Sequence, residues 1–416
     1  MWNRVWCLVA VLCLLGWSVG APPGVLAQTD SDEATVQAGA DGFRVVSSDG
    51  AFAMRLRADL YADARVFVDS NVPTGQQEFF LRRARLRLQG RIYDRFGFSI
   101  RPDFGIGGPE IDDAYVEALL APAAQVRMGR FKVPVGLENL QSSTGLMHVE
   151  RGFPTGLVPG RDVGVMLHGA VGGERVHYAI GAFNGAPGAS EPGNAVDDAV
   201  EGAARLFLTP FAGGGPLEGL GVGVAGTLGS VTGTSATPAL LSLRTTGRQT
   251  FFGYRSGAVA DGQRWRVAPQ ARLFAGPLEL LGEYTVTSHE VRLGPVSEGL
   301  THRAWQASAS VVVTGERARD GEVVPQDPFA AEAGLGAFEI GARVHGVSFD
   351  DDTFPVFAAP STTASDATAY GLTASWYPNT MMRVMLGYER TGFDTAGPAS
   401  SLATEHMLLF RTQIAF

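Results

Sequence analysis

Arginine is the residue type whose spacing points to a chemistry in this sequence. Arg55, Arg57 and Arg65 fall on alternating positions, as do Arg83, Arg85, Arg87 and Arg91, and again Arg264, Arg266 and Arg272. Successive side chains of an extended strand point to opposite faces, so each set shares one face. A guanidinium stays charged at physiological pH and offers a planar fork of donors that pairs with phosphate or carboxylate oxygens. The chemistry on offer is anion recognition. Bond-making finds little support: His148 and Glu150 are too isolated for a metal site, and the 7 histidines are scattered. No Gly-rich phosphate loop or serine elbow stands in strand–turn–helix context. The run Asp350-Asp351-Asp352 reads as a solvated acidic loop rather than a cation site. Neither catalysis nor a cofactor is expected.

The elements that must carry these arginines are strands. Met54, Leu56, Ala58, Leu60, Ala62, Ala64 and Val66 oppose Arg55, Arg57, Asp59, Tyr61, Asp63 and Arg65. Ala84, Leu86, Leu88 and Ile92 oppose Arg83, Arg85, Arg87, Gln89 and Arg91, and Trp265, Val267, Ala271 and Leu273 oppose Arg264, Arg266, Gln270 and Arg272. The pattern persists to the terminal Phe416. Strands of about 9 to 15 residues suit a tilted bilayer crossing better than a soluble sandwich. Tight turns, as at Tyr93-Asp94-Arg95 and Ala275-Gly276-Pro277, alternate with long polar loops at 134–162, 184–198, 230–262, 350–367 and 392–402. That asymmetry marks an all-β, antiparallel outer-membrane barrel.

The turns divide the chain into about 16 strands, among them 277–291 and 301–313, with 314–336 an over-long connection on the short-turn side. A barrel of that size encloses an aqueous channel. The arginine faces then point into the lumen, where they either favour anions or pair with Asp59, Asp63, Asp103, Glu117, Glu279 and Glu283 to brace the wall. Loop 134–162 follows Lys132, carries Glu138, Glu150 and Arg151, and closes on Arg161-Asp162. A long ordered loop of this kind is the candidate constriction.

Residues 1–27 have the parts of a cleaved signal peptide: Arg4, an apolar stretch from Val5 to Trp17, and small residues at Val25-Leu26-Ala27. Residues 28–50 form a polar segment that leads into the first strand, and 51–416 form the barrel. Both cysteines, Cys7 and Cys13, fall within the leader, so no disulfide or thiolate site is expected beyond it. The formal charge of the 416 residues is −9, and no basic run accompanies it, which argues against nucleic acid.

Several segments resemble the phosphate-selective porin O and P family of Gram-negative outer membranes. They include Phe80-Leu81-Arg82-Arg83-Ala84-Arg85-Leu86, Arg101-Pro102-Asp103-Phe104, Gly129-Arg130-Phe131-Lys132-Val133-Pro134, Pro159-Gly160-Arg161-Asp162-Val163-Gly164 and Trp376-Tyr377-Pro378-Asn379. The resemblance implies a sixteen-stranded barrel, a homotrimer, and a channel narrowed by a loop folded inward after the fifth strand. It also implies an arginine ladder and a lysine cluster that holds anions. The ladder is present. The cluster is not, because Lys132 is the only lysine among 33 basic residues. The expected activity is therefore passive diffusion of small hydrophilic solutes, with a preference for anions such as phosphate and no tight site. A non-selective general porin and a surface adhesin on a barrel scaffold are the competing expectations. The expected partners are outer-membrane lipid, small anionic solutes and, through Phe416, the barrel insertion machinery.

Overall fold

The computed structural model describes residues 34–68, 77–188, 197–330, 334–397 and 402–416. The expected signal peptide lies outside them. Sixteen strands close into one barrel: β1 (Phe52–Phe67), β2 (Glu78–Ile92), β3 (Phe96–Asp103), β4 (Glu110–Ala121), β5 (Ala124–Lys132), β6 (Arg161–Val171), β7 (Val176–Phe183), β8 (Glu201–Leu208), β9 (Gly219–Thr232), β10 (Val259–Ala275), β11 (Leu278–Leu293), β12 (Val296–Val312), β13 (Ala337–Ser348), β14 (Ala364–Asn379), β15 (Met382–Thr395) and β16 (Glu405–Ala415). Each pairs antiparallel with the next, and β16 pairs with β1 from Met407↔Phe67 to Ala415↔Asp59. Among the described residues no helix is long and apolar enough to cross a membrane, so the strands make the crossing.

The alternation sets the orientation of the wall. Leu56, Leu86, Val222 and Leu386 point outward with 41, 47, 37 and 52% of their surface exposed, while Tyr61, Asp63 and Arg65 of the same sheet are buried inside. An apolar exterior around a polar interior is the arrangement that lipid demands.

The expected loops appear at 133–160, 233–258 and 349–363, between the strand ends given above, and the expected loops 184–198 and 392–402 lie partly outside the described residues. One expectation fails. The gap between 291 and 301 is not a loop: β11 and β12 run on to a two-residue turn at Gly294-Pro295, with Leu293 opposite Val296. The polar residues that masked this extension, such as Glu298, are exposed on strands that project beyond the apolar band. The connection 313–336 contains no strand among its described residues. It folds back against the barrel through Asp320 to Arg272 at 2.5 Å and Phe329 N–H to the Pro378 carbonyl at 2.7 Å. Upstream of β1, a hairpin of Thr35–Gly39 and Gly42–Val46 adds to the lower edge of that strand; the segment 28–50 had been expected only to lead into the first strand.

Leu386 sits mid-strand on the outer face. Leu386→Arg is expected to destabilise the barrel by about 2–4 kcal/mol, the usual cost of a charge on the lipid face near the bilayer centre. Denaturant titration in lipid vesicles measures this, and a neutral effect would place Leu386 in water.

Candidate pore and its constriction

Loop 133–160 cannot form a sheet ladder inside the lumen, so its backbone carbonyls must find other donors. Wall arginines supply them. Arg343 donates to the Glu150 carbonyl at 2.8 Å, Arg383 to Leu146 at 2.7 Å, Arg411 to Val149 at 2.5 Å and Arg266 to Leu157 at 3.2 Å. Each is also held by a carboxylate: Arg343 by Glu389 at 2.7 Å, Arg383 by Glu339 at 3.2 Å, Arg411 by Asp63 at 2.7 Å and Arg266 by Glu201.

Backbone amides and side chains of the loop, meeting side chains of the wall, complete the attachment. The Leu137 amide donates to Glu283 at 2.7 Å, and the Gln306 amide donates to both Glu138 (3.1 Å) and Glu283 (2.6 Å). His148 pairs with Thr373 at 2.9 Å, and the Phe153 amide donates to His345 at 3.1 Å. Phe153 and Leu157 enter an apolar cluster with Leu241, Leu243, Phe251 and Phe252 of the loop 233–258. The loop therefore enters the lumen and lies against β10–β16.

On the opposite side a cavity of about 690 Å³ remains between the loop, the wall β2–β6 and residues 242–248. Its lining carries 12 basic and 5 acidic side chains. Part of this charge is paired. Arg85 meets Asp103 at 2.8 Å and Asp112 at 2.6 Å, Arg101 meets Asp113 at 2.7 Å, and Arg161 meets Asp113 at 2.8 Å. Arg82 holds Glu150 at 2.6 Å. Lys132 and Arg151 instead both donate to the Gln141 carbonyl, at 2.8 and 2.9 Å, with no ion-paired carboxylate among the described residues. Arg83 is buried with its Nε unpartnered, and its guanidinium lies 5.9 Å from the centre of the Tyr61 ring.

Burial opposes ionisation of Glu150, but Arg82 and Arg411 outweigh it and hold the carboxyl below its usual range. Burial, reinforced by Arg343, pushes His148 well below the usual histidine value. Burial lowers Arg151 to about 10, so it remains charged at neutral pH.

A profile of phosphate-selective porin O and P matches residues 52–416, the whole of the barrel. The chain belongs to that family. The porin is therefore a channel of the outer membrane, and its family and fold point to transport rather than catalysis. Comparison with curated proteins finds no match.

Among solved structures its fold is similar to the outer membrane channel DcaP of Acinetobacter baumannii, at TM-score 0.57 and 12% identity over 89% of this chain and 99% of that one. It is similar to in-vitro folded OmpT of Vibrio cholerae in its trimer form, at TM-score 0.52 and 10% identity over 88% and 100%. It is similar also to the anion-selective porin of Comamonas acidovorans, at TM-score 0.52 and 11% identity over 88% and 100%.

The porin separates the arginines that the sequence grouped. Arg83, Arg85 and Arg87 line the cavity with Lys132, Glu150, Arg151 and Arg161. Arg55 and Arg57 share their face lower down β1, where Arg57 is paired in register with Arg87. Arg91 is exposed near the end of β2, and Arg65 bonds Glu78 and the Gly247 carbonyl. Arg264 and Arg266 face inward but are buried around Glu201 and bond carbonyls at Gly185, Ala186, Pro187 and Leu157. They lie off the cavity, as does Arg272 beside Asp320. Glu138 is buried on the side of the loop that meets Gln306 and Arg343, and Asp162 accepts the Gly185 and Ala186 amides at 2.6 and 2.9 Å.

Sequence reasoning missed Arg82 and Asp112 because strict alternation places each opposite a lumen-facing neighbour. β-Bulges correct this. Register runs from Tyr61↔Arg83 to Ala62↔Leu81, skipping Arg82, and from Arg101↔Asp113 to Pro102↔Ile111, skipping Asp112. An extra residue in one strand turns two consecutive side chains to the same side. Pro102, which cannot donate to the ladder, was the available signal for the second bulge. Arg343 and Arg411 went unremarked in the sequence, because nothing in their local pattern signals that they hold a loop.

The Glu150 pairs make a pH prediction. A carboxyl depressed by folding contributes fully above the ordinary glutamate value of about 4.3, and that contribution is lost as pH falls below it. The melting temperature of the parent should exceed that of Glu150→Gln at pH 7, and the difference should shrink between about pH 5 and pH 3. A difference independent of pH would contradict the assignment.

Proposed function

We propose that the porin passes small hydrophilic anions, inorganic phosphate included, by passive diffusion and without a tight binding site. The observation that carries this reading is the excess of cationic side chains on the cavity between the constriction loop and β2–β6. An ion responds to wall charge within about one Debye length, roughly 8 Å at physiological salt, so the chain's overall charge of −9 does not set selectivity. Of the cavity's carboxylates, Asp112, Asp113 and Glu150 are each engaged by more than one cation, and Asp103 and Glu110 each meet one. They temper the field, and among the described residues Arg83, Arg87, Lys132 and Arg151 have no ion-paired carboxylate. A single lysine supports weak retention rather than a multi-lysine site. The Comamonas acidovorans neighbour is described as anion-selective, which agrees in sign.

We also propose a homotrimer, in keeping with the trimer form of the Vibrio cholerae neighbour. Native mass in detergent tests it, and a purely monomeric species would refute it without touching the pore.

The reversal potential of a single reconstituted channel in a salt gradient should have the sign of anion preference. Changing Arg83, Arg85 and Arg87 together to Gln should weaken the anion preference, because three cations leave the lining while Asp103, Asp112 and Asp113 remain. Cation selectivity in the parent, or unchanged anion selectivity in the triple variant, would overturn the proposal.

A further inference from the structure

β16 ends opposite Asp59, and Phe416 adds two backbone bonds to Ala58, at 2.8 and 3.0 Å. Below this point β1 continues from Arg57 down to Phe52, a stretch of roughly 20 Å that the last strand does not cover. The hairpin 35–46 covers it. Phe43 pairs with Leu56, Arg44 with Arg55, Val45 with Met54 and Val46 with Ala53. The approach is close at Gly42, where φ is +88° and a Cβ would stand 2.2 Å from the Leu56 carbonyl oxygen.

The hairpin also keeps the phase of β1. Phe43 and Val45 lie beside the outward Leu56 and Met54, and Val36 and Ala38 lie beside Val45 and Phe43. Gln37 and Arg44 fall on the other face, in line with Arg55. Val36 and Phe43 are 68 and 50% exposed and continue the outward row of Phe52, Met54 and Leu56. Phe43 meets Phe416 edge-on at 6.3 Å, and Phe52 meets Tyr93 at 5.2 Å, forming an aromatic rim at the short-turn end. Aromatic residues at that level are where a barrel meets the membrane interface.

We propose that the hairpin is a membrane-seated latch: its outer face contacts lipid of the inner leaflet at the level of the aromatic rim, and its second strand covers the part of β1 that β16 leaves unpaired. Continuity with the lipid-facing band carries the choice of occupant. The hairpin takes up backbone groups of β1 from Ala53 to Leu56 that the last strand leaves uncovered, and it continues the outward apolar row of that strand.

The test is a nitroxide scan of single-cysteine variants at Val36, Gln37, Ala38, Phe43, Arg44 and Val45, with Cys7 and Cys13 changed to Ser. The full chain is reconstituted in vesicles of phosphatidylethanolamine and phosphatidylglycerol. Labels at Val36, Ala38, Phe43 and Val45 should collide several-fold more with oxygen than with an aqueous nickel chelate, and labels at Gln37 and Arg44 should show the reverse. Nickel access at every position would place the hairpin in water and overturn the proposal. Labels at Val36 and Phe43 shielded from both reagents, with spin–spin broadening, would place a second copy there and overturn it equally. Gly42→Val should abolish the alternation of access while leaving the channel's reversal potential unchanged, so a failure of the latch is distinguishable from a failure of the pore.

Discussion

Arg266, Arg343, Arg383 and Arg411 stand on four strands of one side of the barrel and end on carbonyl oxygens of a single loop. The loop has no ladder of its own, and without these donors its buried carbonyls would be orphaned. Bonds from a charged donor contribute roughly 1.5–3 kcal/mol each, while loss of one partner from a buried ion pair costs about 3–5 kcal/mol. The carboxylates behind the arginines therefore matter as much as the bonds in front. Glu201, Glu339, Glu389 and Asp63 hold each guanidinium in place and neutralise it. The interaction that seats the loop removes charge from that half of the lumen.

The opposite half follows from the same rule with a different outcome. Where no loop covers the wall, the arginines of β2–β6 remain beside space, and their acids are too few to cancel them. Two bulges raise the local density of charge by placing Arg82 beside Arg83 and Asp112 beside Asp113 on the inner surface. Glu150 joins the two halves, because it is held by Arg411 of the anchoring wall and by Arg82 of the cavity wall. The position of the loop and the charge of the remaining passage are thus set by one network.

Much of this was legible in the sequence. Period-two alternation fixes which side chains meet lipid, and the loop between Lys132 and Arg161 was recognisable by length and position. The division of arginines into bracing and lining sets was not legible. Arg264 and Arg83 have the same local pattern, and only tertiary placement puts Glu201 against one and open space beside the other. Bulges were hidden because they add a residue without breaking the apolar run. The tight turn at Gly294-Pro295 was hidden because strands beyond the membrane need no apolar face. The latch at Thr35–Val46 was hidden because its two strands are short and polar on one side.

The central claim is that the loop docked on β10–β16 is the conducting arrangement. Val149 and Gly387 offer a direct test, since a Cβ added at Gly387 would lie 3.0 Å from Val149 Cγ2. A disulfide between Val149→Cys and Gly387→Cys would lock the loop to β15. Single-channel recording of the oxidised and reduced forms should give the same conductance and the same ion selectivity. A conductance that falls on oxidation and returns on reduction would contradict the account, because it would mean that the channel conducts only when the loop leaves the wall.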